Sequence, residues 1–380
     1  MVENLWSYAS RPGADERPDA RPAPPVDLPR APRPKSKLSG ASKDGGKSAA
    51  VPLGPAAQLF RRFGFGHRPG DLEALRAVGT GLEALRGTFV DSQITAPSED
   101  PEVERRLARL SGRLEQASPS DRLRVTTLLR RAHGRAQLRE KTVAVWHEVL
   151  AGAGSNPTVP DAALDRRLRR RAFGPLRRLA PARDLTPSAA ARWLADRVAA
   201  PEGDLGVRIG ASGSTVADAL GRLVEAPQIL PLRRPLDAVL AAARALDVDL
   251  AERIARSGIA EVLRRLEAIG QPILSGSSAA TALGREGAWA TTASRAAQWR
   301  FLTWLMADSS AVTVGEAVRA ATSLDALTDA WARQLFDRPA TERELAAVRP
   351  LGRGALGTSG VERRLPIGVA LAMSPAFLDV

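Results

Sequence analysis

From residue 53 to near the end of the chain, apolar residues return at three- and four-residue spacing, and no segment alternates cleanly at period two. Spacing near 3.6 gathers apolar side chains on one face of a helix, whereas a half-buried strand needs a period of two. The pattern therefore predicts an all-α, multi-helix globular bundle. Ala56, Leu59, Phe60 and Phe63 share a face, and Gly64 and Gly66 end it. A short helix over 71–78 stops at Gly79. Residues 102–114 carry Val103, Leu107, Leu110 and Leu114 on one stripe. A long helix spans 123–150, with Gly134 as a dividing point. Its second half gathers Leu138, Thr142, Val145, Trp146 and Val149. Further helices are expected over 162–179, from Thr186 onward, and over 232–246, 250–269, 289–306, 324–336 and 363–373. Those at 232–246 and 250–269 read as amphipathic, with Gly258 as a break and Gly270 as a stop. Thr215, Thr313 and Thr341 each precede an acid at capping-box spacing. Trp146, Trp193, Trp289, Trp299 and Trp304 are read as packing anchors.

Residues 1–52 break this pattern. They are rich in Pro, Arg, Gly and Ser, with Lys35, Lys37, Lys43 and Lys47, and cannot bury enough apolar surface to offset the entropy of ordering. A disordered basic tail is expected there, followed by a helical domain over 53–380 in two lobes divided near 201–214. The net charge is +13. Outside the tail Lys141 is the sole lysine, so arginine supplies the charge of the body. Cysteine is absent, which excludes disulfides and thiolate chemistry. The N-terminus is polar, and no apolar run approaches the ~20 residues of a membrane span. The expectation is a cytoplasmic protein without a transmembrane segment.

Residues able to carry chemistry are few. His67, His133 and His147 do not fall at metal-ligand spacing, and no cofactor is expected. His147 shares its helix with Glu140 and Glu148, either of which could pair with it and make it a base; the plainer reading is a structural histidine at a helix contact. Gly352, Gly354 and Gly357 match a dinucleotide-loop spacing, but helical surroundings and Pro350 point to an interhelical loop. A glycine-containing stretch at 210–215 reads as a capped helix start. Arg166, Arg167, Arg169, Arg170 and Arg171, with Arg177 and Arg178 beyond, spread round a helix that turns Leu164, Leu168 and Phe173 inward. They are the candidates for weak, non-specific contact with nucleic acid or another anionic surface.

Several segments, in order, resemble a bacterial family known as domain of unknown function 1800. Ala57 to Gly66 is similar to its first helix and the turn that follows. Gln137 to Lys141, running into Val145, Trp146 and His147, is similar to its "LREK…FWH" helix. Arg170 to Gly174 is similar to its "RRHAFG". Gly270, Gln271 and Pro272 with Trp289 resemble its "GQP…W" element. Phe336 to Pro339 and Ser374 to Leu378 resemble its closing helices. The departures bear on function. The family's "NENYARELMELHTLG" has no counterpart between Gly174 and Thr215, and its second histidine after Trp-His is here Val149. The resemblance implies a fold without a reaction: a non-enzymatic or degenerate interaction module whose partner is another protein. A polyanion binder working through residues 166–178 and the tail is the first alternative. An enzyme with a site near His147 is the second.

Overall fold

The structure, a computed structural model, describes residues 53–78, 82–97, 99–152, 162–173, 235–270, 273–274, 292–307, 311–352 and 364–378. The tail, the lobe boundary near 201–214, the helix from Thr186 and the capping box at Thr215 lie outside these residues.

The helices begin where the apolar pattern begins. The first, α1 (Pro55–Phe63), opens with a proline whose φ suits a first helical turn. Its apolar stripe is buried, and the Gly54 N–H donates to the Phe336 carbonyl at 3.0 Å. Next come α2 (Asp71–Arg76) and α3 (Leu82–Thr95). The apolar pattern does not reveal α3: Gly87 sits mid-helix, and buried Gln93 takes the next core position after Leu85 and Phe89. Gln93 is inside because its Oε1 accepts the Leu138 N–H at 3.1 Å. The expected helix over 102–114 is two, α4 (Pro101–Arg109) and α5 (Ser111–Gln116), broken at Leu110. Likewise 123–150 divides at Gly134 into α6 (Pro119–His133) and α7 (Gln137–Gly152). The basic segment forms α8 (Ala162–Arg171).

Beyond residue 234 the chain supplies the middle of the bundle. All eleven residues of α9 (Pro235–Ala245) are buried, although its sequence reads as amphipathic. It packs against α6 and against two later helices, α12 (Thr292–Met306) and α14 (Leu324–Phe336). Its run of alanines lets neighbours come close. A Cβ on Gly66 would lie 2.9 Å from the Ala241 Cα, and Gly66 also holds a φ of +91°, so only glycine fits there. The two charged residues of α9 have dedicated partners. Asp237 meets Lys141 at 2.7 Å, and Arg244 donates to the carbonyls of Gly66 and Ala132, both at 2.7 Å.

Between these lie α10 (Leu250–Ser257) and α11 (Ile259–Ala268), broken at Gly258. After α12 come the short α13 (Glu316–Ala320), then α14, α15 (Glu342–Val348), α16 (Leu365–Ala372) and α17 (Pro375–Leu378). Thr341 caps α15 with the full reciprocal box through Glu344. Thr313 has the same spacing to Glu316 and makes no cap; Gly315 occupies that position. The Thr313 N–H instead reaches the Asp247 carbonyl at 3.2 Å, beside an isolated antiparallel bridge between Val248 and Val312. Among the described residues there is no strand, and no helix is long and apolar enough to cross a membrane. The fold is all-α. Among the described residues the deepest tryptophan is Trp331, fully buried with its indole N–H on the Arg364 carbonyl at 3.1 Å. Trp299 and Trp304, read as anchors, are only half-buried.

Candidate functional site

Helical geometry places Glu140 and His147 on one face of α7, seven residues apart, and Asp165 and Arg169 on one face of α8, four apart. The two helices pack together and bring the four side chains into contact. His147 Nε2 lies 2.9 Å from Asp165 Oδ1. The other oxygen of Asp165 accepts from Arg169 Nε at 2.7 Å, and Arg130 of α6 stands 3.5 Å from it. A second nitrogen of Arg169 donates to Glu140 Oε1. Asp165, Glu140 and Arg169 are buried.

The electrostatics follow from this enclosure. Burial alone would raise the Asp165 pKa, but the hydrogen bond from His147 and the charge and hydrogen bond of Arg169 overcome it, so the carboxyl stays well below the usual range. Burial would lower Arg169; Glu140 and Asp165 reverse that and hold its guanidinium charged. Because Asp165 is an ionised acceptor, His147 Nε2 is the donor, which settles the tautomer of the neutral ring. A histidine–aspartate pair can serve a general base. Here the aspartate is shared with two guanidinium groups, those of Arg169 and Arg130.

Of the two expected partners of His147, Glu140 serves Arg169 instead, and the ring pairs with Asp165. Asp165 could have been suspected only from its four-residue offset to Arg169 and from α8 being the next helix along. The arginine set also divides. Arg169 turns inward into the ion pairs, while Arg166, Arg170 and Arg171 are exposed and Arg167 is half-buried on the opposite side of α8. They do not spread evenly round the helix. Gly270 ends α11 at a φ of +88° with no atom near its missing Cβ, so its role is the turn itself. The side chains of Trp146 and Glu148, and all of Gln271, Pro272 and Trp289, lie outside what the structure describes.

The other two histidines are elsewhere. His133 accepts the Leu250 N–H at 3.3 Å, and His67 donates through Nε2 to the Gln334 carbonyl at 2.7 Å. Burial keeps both neutral, His67 down to about 4. Among the described residues no group of three or more His, Asp or Glu side chains is placed to hold a metal ion. Gly352 follows a 3-10 turn (Arg349–Leu351) after α15, with no strand before it, so the glycine spacing there is not a dinucleotide loop.

Two of the segments that bear the family resemblance, Ala57 to Gly66 and Gln137 to Lys141, meet in space. Gln137, at the start of α7, accepts the Phe65 N–H at 3.0 Å, and Lys141 lies over the Phe65 ring at 4.8 Å. Residues 58–194 match the family described as Protein of unknown function (DUF1800). The likeness to DUF1800 is confined to that stretch, which is less than half of the chain. No curated protein and no solved structure matches the chain. The DUF1800 stretch contains the whole His147–Asp165–Arg169–Glu140 group. It ends inside the interval where the family's central segment has no counterpart. The similarities at 270–272, 289, 336–339 and 374–378 fall beyond it.

Proposed function

We propose that this protein is a non-enzymatic helical interaction module. One observation supports the reading: the polar residues gathered around His147, namely Glu140, Asp165 and Arg169, are engaged with it and with one another in buried hydrogen bonds and ion pairs between α7 and α8. A group so enclosed holds helices in register and offers a substrate little. The test is a thermal-shift screen of small molecules on the full chain and on His147→Gln. No stabiliser is expected to depend on His147. A compound that raises the melting temperature of the parent, and gives no such rise over the variant's own melting temperature, would overturn the proposal in favour of a site near His147.

A second reading, contact with a polyanion, is favoured by the exposure of Arg166, Arg170 and Arg171 on α8, beside half-buried Arg167. Binding through such a face is driven by counterion release and falls steeply with salt. With duplex DNA as probe, replacing Arg166, Arg167 and Arg170 by Gln should weaken binding and flatten its salt dependence. Unchanged binding in that variant would remove this reading.

A further inference from the structure

A cavity of about 370 Å³ lies between the two ends of the described chain. One side is the turn after α1 together with α2, from His67 to Arg76; the other comes from α13, α14 and the turn Asp337 to Pro339. The His67–Gln334 hydrogen bond and the Arg76–Asp337 ion pair join the two sides, each contact spanning more than 260 residues of sequence. That volume is within the usual range for a small-ligand site.

Four guanidinium groups, Arg68, Arg76, Arg333 and Arg338, line this cavity against two carboxylates, Glu73 and Asp337. Asp337 is taken by Arg76. The carboxylates that hold the other three arginines are not part of the wall. Asp247 is 3.2 Å from Arg68, Asp329 is 2.7 Å from Arg333 and Glu344 is 2.7 Å from Arg338. For these three arginines the acceptors stand off the cavity while the donors line it. Arg333 gives only its Nε to Asp329, and its side chain is 61% exposed, so its terminal nitrogens face water. An arginine positioned by a carboxylate behind it is a pre-organised fork for an oxyanion. His67 is neutral at physiological pH and adds no charge.

We propose that this cavity binds a small oxyanion, the carboxylate or phosphate group of a small molecule, with Arg333 as its principal donor. The nearby carboxylates temper the positive field, so the affinity is modest. This site is separate from the α8 arginine face and from the group around His147.

The test is calorimetric melting of the full chain with inorganic phosphate, malonate, glycerol and sodium chloride, the salts at matched ionic strength. Phosphate, malonate or both should give a saturating rise in melting temperature, as mass action requires; which of them acts distinguishes a phosphate from a carboxylate ligand. Glycerol and chloride should not saturate. In Arg333→Gln the apparent affinity should fall roughly tenfold, the loss of one charge-assisted hydrogen bond. Ala317→Glu places a negative charge on the wall from an exposed position and should abolish the effect. Arg170→Gln should leave it unchanged. A rise that never saturates and matches chloride, as general salt stabilisation would produce, overturns the proposal. So does a saturating rise that survives in both Arg333→Gln and Ala317→Glu.

Discussion

Two regions of this molecule use the same residue types to opposite ends. Between α7 and α8, a histidine, two acids and an arginine are buried against one another, with Asp165 only 1% exposed. Around the cavity at His67, a buried histidine stands beside Arg68, Arg333 and Arg338, whose carboxylate partners lie off the wall, and the Arg333 side chain is 61% exposed. In the first region the charges face one another in a buried helix contact; in the second the donors face a space. Residue type does not decide whether an ion pair is structural or receptive. Where the carboxylate stands relative to the open volume does.

The largest expected effect tests the enclosed region. Asp165→Asn leaves Arg169 and Arg130 without their shared carboxylate and should cost about 3–5 kcal/mol, the usual penalty for breaking a buried pair. Arg333→Gln, which breaks an exposed pair, should cost no more than about 1 kcal/mol. Urea denaturation of both variants checks the contrast, and comparable losses would erase it.

Acid pH should separate the regions next. His67 is held neutral down to about 4, against 6.5 in an unfolded chain. The unfolded state takes up the proton first, so the stability tied to His67 is complete above pH 6.5. It is lost as pH falls toward 4, by about 3 kcal/mol in all. His133 loses stability in the same direction. Asp165 acts in another window, because its folded pKa is depressed: its contribution is intact above its ordinary 3.8 and disappears below it. Urea midpoints between pH 7 and 4.5 should fall more steeply in the parent than in His67→Gln. Parallel slopes would mean that His67 is not protected from protonation.

A smaller effect is expected at His147. Its ring makes one hydrogen bond to an ionised carboxylate, and glutamine has a donor of similar reach, so His147→Gln should cost about 1–2 kcal/mol. A loss as large as that of Asp165→Asn would make His147 a keystone of the group. Smallest of all, Arg170→Gln on the solvent side of α8 should change stability by less than about 0.5 kcal/mol. A larger loss would show that this face is built into the fold.

Much of the fold was legible along the chain. The helix Leu324–Phe336 has the bounds that its apolar spacing predicts, and Gly134, Gly258 and Gly270 break or end helices as a residue without a side chain should. The failures have physical causes. Gln93 hides α3 because a polar residue occupies a core position in order to cap another helix. Thr313 and Thr341 are equivalent in spacing, and only pairing with Asp247 draws the first away from its helix. Trp331 carries no local mark that distinguishes it from Trp299 or Trp304.

The candidate sites were less legible than the helices. His147 and Glu140 were found on their own helix, but a helix's periodicity describes only that helix. Asp165, eighteen residues on, becomes the partner through the packing of α8 on α7. The cavity at His67 is further from sequence still, since its two walls approach only when the chain closes. What the sequence determined by itself is what local physics controls: an all-α chain, the helix-ending glycines, and polar residues on apolar faces that had to find partners. Which partner each one found, which arginines turned inward and which came to line a cavity, was decided by tertiary packing. A charge is satisfied by whatever lies within about 3–4 Å of it in space, and sequence distance says little about that.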